Sequence, residues 1–191
     1  MSAGPLRILG ISGSLRRGSL NSSLLRACQA LAPDGMEIEI YDGLARLPPY
    51  DEEVEAAGFP PVVGELRRRV HAADALLIAT PEYNHSVPGV LKNAIDWASR
   101  PPDVPLARRS AAILGASTGM LGTVRAQYHL RDILMSLDAT VVNKPEVFVG
   151  AAQGKFGPDG GLTDEATARI LRVLLDALLE QTLGLRRWRA A

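Results

Sequence analysis

The stretch Gly13-Ser14-Leu15-Arg16-Arg17-Gly18-Ser19-Leu20-Asn21-Ser22 is assembled from residue types that together hold an anion. Its glycines let the backbone turn tightly, and its serines and Asn21 can donate hydrogen bonds. A helical pattern begins near residue 22, so the loop also gains the unpaired N–H groups and partial positive charge of a helix N-terminus. Arg16 adds a full charge that can pair with a phosphate through two parallel hydrogen bonds, and Arg17 lies beside it. The loop has neither the G-x-G-x-x-G of a dinucleotide site nor the G-K-[ST] of a nucleoside triphosphate site, so a monophosphate group suits it better. An ordinary capped turn with two solvated arginines would use the same residues. Placement directly after the first apolar run favours the anion loop.

Two further loops sit in comparable places. Thr80-Pro81-Glu82-Tyr83-Asn84-His85-Ser86-Val87-Pro88-Gly89 follows the third apolar run and contains two prolines. Such stiffness suits a wall that presents backbone N–H and C=O groups edge-on to a flat heterocycle, with the Tyr83 ring adding apolar contact. Pro88 also suits the first turn of a helix, and both roles can hold together. Ala116-Ser117-Thr118-Gly119-Met120-Leu121-Gly122-Thr123 follows the fourth apolar run, and its glycines permit close backbone approach to a ligand. Taken alone, this last loop reads as a helix-capping turn.

These loops need a scaffold that brings them together. Apolar, β-branched runs occur at residues 6–12, 36–41, 75–80, 110–116 and 139–142, with a further piece at 147–149. Helical periodicity fills the intervals at 22–31, 62–72, 88–99, 124–137 and 164–183. Strand alternating with helix implies a parallel sheet with right-handed crossovers and helices on both faces. The expected fold is a flavodoxin-like, three-layer α/β/α domain spanning 1–191, with a five-stranded parallel sheet of order 2-1-3-4-5. In that order the ends of strands one, three and four lie side by side. One phosphate pocket between two ring-binding walls then points to flavin mononucleotide, FMN. Residues 43–61 and 154–161 are the most loop-like, the first long enough to be functional.

Bulk composition narrows the partners. The 191 residues carry 21 basic and 21 acidic side chains, which leaves no excess positive charge to bind nucleic acid without regard to sequence. The single cysteine, Cys28, excludes an internal disulfide framework and suits a reducing cytoplasm; with no adjacent base, it reads as an inert thiol. Leu6-Arg7-Ile8-Leu9-Gly10-Ile11 is too short to span a membrane and lacks a signal-peptide cleavage pattern, so a cytoplasmic protein without membrane contact is expected. His71 and His129 fall on helical stretches as solvated or structural residues, and no metal site follows from them. Arg186, Arg187 and Arg189 with Trp188 read as a short frayed basic tail.

G-S-L-R-x-G-S-x-N at 13–21 and T-P-E-Y-N-x-S-V-P-G-x-L-K-N-A-I-D-W at 80–97, followed by a Ser-Thr-Gly turn at 117–119, resemble the NAD(P)H-dependent FMN reductase family, especially its bacterial quinone and chromate reductase branch. PYDEEVEAAGFP at 49–60, QYHLR at 127–131 and NKPE at 143–146 extend the likeness over nearly the whole chain. The resemblance implies that Ser14, Arg16, Ser19 and Asn21 hold the FMN phosphate, with backbone help from Leu15, Arg17, Gly18 and Leu20. Glu82, Tyr83, Asn84 and His85 would border the isoalloxazine with Pro81 behind them, and Ser117 and Gly119 would close the remaining side. His85 departs from the family, whose members often carry an aromatic such as tyrosine there, and it is a candidate modulator.

The same resemblance implies NADPH or NADH as co-substrate and quinones, free flavins, azo dyes or chromate as small-molecule electron acceptors. The flavin would carry the chemistry, so no side chain is assigned as an obligatory nucleophile or base. Both substrates are expected to use one flavin face in turn, with ping-pong kinetics. A flavodoxin-like electron carrier, or a flavin-binding module without its own NAD(P)H turnover, is the alternative. A homodimer or homotetramer is expected as well: Tyr50 and Phe59 of the 48–61 loop are available to reach a partner, and Val87, Leu91, Ile95 and Trp97 give the following helix a large apolar surface. Arg125, Tyr128 and Glu146 lie in the stretches most like tetramer-forming relatives. Denaturing the yellow protein should release FMN and no FAD on chromatography, because the 14–21 loop offers one monophosphate pocket and no pyrophosphate fingerprint.

Overall fold

Runs that are apolar throughout can be strands only where both faces of the sheet are covered. In the computed structural model, which describes residues 4–190, such runs form the central β3 (Ala75–Ala79) and β4 (Ser110–Ala116), beside β1 (Leu6–Ser12) and the edge strand β2 (Met36–Tyr41), whose glutamates alternate with apolar residues. All pairs are parallel and the order is β2-β1-β3-β4 followed by β5 (Thr140–Val141), as the sequence leads one to expect. The two-residue period of a strand sorts side chains into two cores. Ala75, Leu77, Ala79, Ala112 and Leu114 face α1 (Leu20–Ala30) and α6 (Glu165–Ala190), meeting Leu24, Leu25, Leu171 and Leu175. Leu76, Ile78, Ala111 and Ile113 face α3 (Pro61–Ala72), α4 (Gly89–Ala98) and α5 (Val124–Ser136), meeting Leu66, Leu91, Ile95 and Leu130. This is the three-layer, flavodoxin-like arrangement. Cys28 is fully buried in the first core, and burial pushes its thiol up to about 12, which leaves it protonated and inert.

The fifth position of the sheet is broken. β5 (Thr140–Val141) pairs with the start of β4, and β6 (Val147–Val149) pairs with its end. Pro145, which has no N–H for a ladder, lies in the intervening segment. Side chains of α5 take up two of the freed carbonyls: Arg131 donates to Val142 O at 3.0 Å and Gln127 to Val147 O at 2.9 Å.

Three expectations are corrected. The C-terminal arginines are not a frayed tail; α6 runs to Ala190, with Arg186 paired to Asp74, because leucine and arginine sustain a helix and a lone Gly184 does not stop one. The 43–61 segment is ordered by a 3₁₀ turn at Leu44–Arg46 and by α2 (Glu52–Ala56), whose N-terminus is capped by Asp51 accepting from Glu53 N and Val54 N. Lastly, the aromatic residues expected to reach a partner pack within the chain. Tyr50 and Phe59 meet Trp97 edge-on at 5.0 and 6.3 Å, and Leu91, Ile95 and Trp97 are themselves buried.

Trp97 Nε1 and Asn93 Nδ2 both donate to Pro48 O, at 2.9 and 2.8 Å, while Tyr50 N donates to Asn93 Oδ1 at 2.7 Å. The N-A-I-D-W half of the long motif therefore holds the 43–61 loop. Trp97→Phe removes one of these hydrogen bonds and part of the aromatic contact. It should lower stability by about 1–3 kcal/mol in urea unfolding and speed proteolysis of the 48–59 segment; unchanged proteolysis would show that the loop is held without Trp97.

Candidate functional site

The loops after β1, β3 and β4 leave the sheet at neighbouring points because those strands are neighbours. Backbone hydrogen bonds carry the pairing past the strands: Gly13 N donates to Ala79 O at 2.8 Å, Thr80 N to Leu114 O at 3.0 Å, and Ser117 N to Val149 O at 3.0 Å. Gly13 lets the first two loops pack closely, since a Cβ there would lie 3.1 Å from both Pro81 Cδ and Leu91 Cδ2. All fifteen residues singled out in the sequence thus lie at one edge of the sheet, on three loops and the first turn of α1.

In the first loop Ser19 caps α1, its hydroxyl accepting from Ser22 N at 3.3 Å, and no acidic side chain occupies the helix's first turn. The positive end of the helix is left unneutralised. Arg16 N donates to Ser14 Oγ at 3.4 Å and Ser19 N to Arg16 O at 3.1 Å, which fold the loop back on itself. Among the described residues, the amides of Leu15, Arg17, Gly18, Leu20 and Asn21 have no acceptor. Arg16 and Arg17 are exposed and have no carboxylate partner among those residues either. A cluster of free amides at a helix N-terminus beside an unpaired guanidinium fits a phosphate dianion.

Asn21 takes a different part from the one its type suggested. Its side chain is buried, with Nδ2 donating to Ala116 O at 3.0 Å and Oδ1 accepting from Ala116 N at 2.9 Å. Both polar atoms are occupied by the last peptide of β4, so Asn21 offers an anion only its backbone amide.

In the second loop, residues 83–86 form a two-residue hairpin with Tyr83 N donating to Ser86 O at 3.1 Å and Ser86 N to Tyr83 O at 3.0 Å. Asn84 and His85 take φ of 48° and 65° at its tip, the pattern of a type I′ turn. Asparagine tolerates this conformation; histidine, in the place where glycine is favoured, carries strain on the order of 1 kcal/mol. Tyr83 stands 51% exposed. The Glu82 carboxylate, expected beside a ring, instead accepts from Arg125 N at 2.9 Å and Ala126 N at 3.2 Å, with Arg125 Nη1 at 3.2 Å. Burial pushes this carboxyl up, but the amides of Ala126 and Arg125 and the Arg125 guanidinium outweigh it and hold it below the usual range. Ser86 Oγ lies 3.0 Å from His129 Nδ1, a second tie to α5.

The third loop is fastened to a segment that the sequence did not single out. Ala152 N donates to Ser117 O and Ala151 N to Gly119 O, both at 3.0 Å, and Ser117 Oγ accepts from Gly119 N at 3.1 Å. Gly150 is a point of close approach, because a Cβ there would overlap the Met120 carbonyl. An apolar strand remnant followed by Gly150, just beyond 147–149, was the available signal. Leu15, Met120 and Leu121 stand 52, 86 and 57% exposed around the three loops. Of the residues linked by resemblance to a second interface, Arg125 pairs with Glu82 and Glu146 with Lys144 inside the chain, while Tyr128 remains exposed.

Fold and loops together define a flavodoxin-like α/β protein with an anion cradle and an exposed apolar mouth at the carboxyl edge of its sheet. Residues 6–154 match the family described as NADPH-dependent FMN reductase, and the chain belongs to that family. It is 54% identical over 173 residues to an NAD(P)H-dependent FMN reductase of Pseudomonas aeruginosa, covering 91% of this chain and 93% of that one. A quinone reductase of Escherichia coli is 46% identical over 164 residues, covering 85% and 87% of the two chains. An NAD(P)H:quinone oxidoreductase of Solanum tuberosum is 47% identical over 193 residues, covering 97% and 98%. The solved structure of the Paracoccus denitrificans flavoenzyme FerB, an NAD(P)H:(acceptor) oxidoreductase, matches with a TM-score of 0.86 and 34% identity over 94% of this chain and 98% of that one.

Asn21→Ala should destabilise the fold by about 2–4 kcal/mol, because it leaves the Ala116 N–H and C=O buried without partners. Urea unfolding of the variant checks this, and a loss confined to ligand binding would show that Asn21 acts as a ligand after all.

Proposed function

We propose that the chain is an FMN-dependent NAD(P)H oxidoreductase that passes electrons from NADPH or NADH to quinones and other small acceptors. One observation carries this reading: five amides and an exposed Arg16, all without partners among the described residues, lie together in the first of three loops that leave the sheet at neighbouring points, with Leu15 and Tyr83 exposed on those loops. FMN, when bound, supplies a two-electron carrier between a nicotinamide and an oxidant. Arg16, the Ser14 hydroxyl and the free amides from Leu15 to Asn21 would hold its phosphate. Backbone groups from Pro81 to His85 would border the ring, with Tyr83 and Leu15 covering apolar surface. Ser117 would donate its hydroxyl proton from the far side. In the 117–119 turn the Ser117 and Gly119 carbonyls and the Gly119 amide are already engaged, so Gly119 contributes closeness of approach more than a hydrogen bond.

Asn84 and His85 at the hairpin tip would meet the acceptor, and an open mouth lets the two substrates occupy the same place in turn, which is the basis for expecting ping-pong kinetics. No helix among the described residues is long and apolar enough to cross a membrane, and we read the protein as cytoplasmic. Met120 and Leu121 at the mouth, with Tyr128 and Met135 on α5, are exposed apolar side chains that support a homodimer or homotetramer.

Steady-state assay of the purified holoprotein with both nicotinamides and a panel of quinones should show NAD(P)H consumption without any added reductase. Bound FMN with no such turnover would reduce the protein to an electron carrier or flavin-binding module. Arg16→Ala should weaken FMN binding by about 1.5–3 kcal/mol with the fold intact, the range for hydrogen bonds to charged groups. Unchanged affinity in a fluorescence titration would mean that Arg16 is merely solvated.

A further inference from the structure

Glu82 is the second residue of the ring-bordering loop, yet its carboxylate closes the end of a helix from another βα unit. α5 has no cap of its own: Thr123 stands in the N-cap position with its hydroxyl accepting from Gln127 Nε2 at 3.0 Å instead of from a backbone amide, and the first turn carries no acidic residue. Glu82 Oε2 supplies the missing acceptor to the amides of Arg125 and Ala126, and Oε1 meets the Arg125 guanidinium, with the Glu82 side chain only 11% exposed. A carboxylate accepting two amides at a helix N-terminus is favoured by hydrogen bonding and by the helix dipole together. The Ser86–His129 contact ties the other end of the 83–86 hairpin to the next turn of α5.

We propose that Glu82 is a positioning residue of the flavin seat. By capping α5 across the gap, it locks the wall after β3 to the wall after β4, and Arg125 serves as its counter-ion. The inference rests on the FMN-binding reading given above. The two walls belong to separate βα units, and the ladder between β3 and β4 ends at Ala79 and Leu114. Past that point Thr80 N to Leu114 O continues the pairing for one residue, and among the described residues the hydrogen bonds from 82–86 to the β4–α5 unit are those of Glu82 and Ser86. A flat ring between such walls needs their spacing set before it arrives, because ordering them on binding would subtract from affinity. The Arg125 guanidinium is the lesser half of the contact: removing it leaves both amide bonds in place, whereas removing the Glu82 charge disturbs every bond at once.

The test uses full-length chain stripped of FMN, with FMN and riboflavin as probes in fluorescence titrations and with amide hydrogen exchange as an independent readout. Glu82→Gln should speed exchange at the amides of Arg125 and Ala126. It should also weaken FMN binding about ten- to a hundredfold. Riboflavin should weaken by the same factor, since the phosphate loop is untouched, and Arg125→Gln should have a smaller effect on both probes. Glu82→Asp, which keeps the charge on a shorter stem, should fall between wild type and Glu82→Gln. Unchanged FMN affinity in Glu82→Gln, a loss limited to FMN, or a larger loss in Arg125→Gln would each overturn the proposal. If Glu82→Gln does not fold, Glu82→Asp and His129→Gln carry the same comparison of the two probes. Failure of the wild-type chain to bind FMN would remove the underlying reading instead, and exchange at residues 125 and 126 would still report whether the cap exists.

Discussion

β4 ends at Ala116, whose peptide N–H and C=O point into protein where no further strand residue can meet them, and the Asn21 amide satisfies both at 2.9 and 3.0 Å. Few side chains could do this. An aspartate would set a carboxylate against the carbonyl, and a serine would fall short of reaching both atoms. Because Asn21 belongs to the first turn of α1, the pair fixes the helix N-terminus over the end of β4, although the two residues lie 95 positions apart in the chain. The free amides that precede and include Asn21 are therefore held at the junction between loops one and three. Everything the site can do with an anion depends on that placement, since an N-terminus that could slide would present its amides to solvent.

From this fixed point outward the edge is built as a chain of ties between units. Asn21 joins the first loop to the end of β4; Ser117 and Gly119 join the third loop to residues 151 and 152; Glu82 and Ser86 join the second loop to α5. The Asn21 and Glu82 ties meet backbone groups that would otherwise be left unsatisfied at a strand end and a helix end, so there stabilising the loops and satisfying the backbone are one requirement met once. On these loops, among the described residues, what remains unpaired is a set of amides and two arginines in the first loop, together with the exposed side chains of Leu15, Tyr83, Met120 and Leu121. A chain of zero net charge can still bind an anion this way, because the positive potential is local.

The sheet order was legible because its evidence is redundant: five apolar runs alternating with helical periods leave few topologies, and turn residues mark the strand ends. The positions of the three loops followed from that order. Side-chain roles were less legible. Asn21 and Glu82 are polar residues inside loops that look like ligand-binding loops, and composition cannot tell a side chain aimed at a ligand from one aimed at a neighbouring backbone; only the partner, 95 or 43 residues away, decides it. Tyr50, Phe59 and Trp97 misled for the converse reason. Three aromatics in or beside a long loop read as surface for a partner, yet they satisfy one another within the chain at 5.0 and 6.3 Å. The extension of α6 was missed because Gly184 and a run of arginines suggest a helix end, while the pairing of Arg186 with Asp74 is invisible in sequence.

The split between a tied frame and an untied mouth has a consequence for how such a site can change. Substitution at Asn21, Glu82 or Gly150 disturbs contacts that cross between separate segments of the edge, and the cost spreads to the fold. Leu15, Asn84, His85, Met120 and Leu121 project from the same loops without side-chain hydrogen bonds to the frame among the described residues. Under the proposed function, replacing them would alter the surface offered to an acceptor while leaving the hydrogen bonds of the frame in place. His85 is the limiting case: its backbone at φ 65° would be relaxed by glycine, so a side chain there is carried at an energetic cost that the frame, not the residue itself, has to absorb. Rigidity around the cofactor seat and latitude at the mouth are thus properties of one set of loops, separated by which groups the backbone has already claimed.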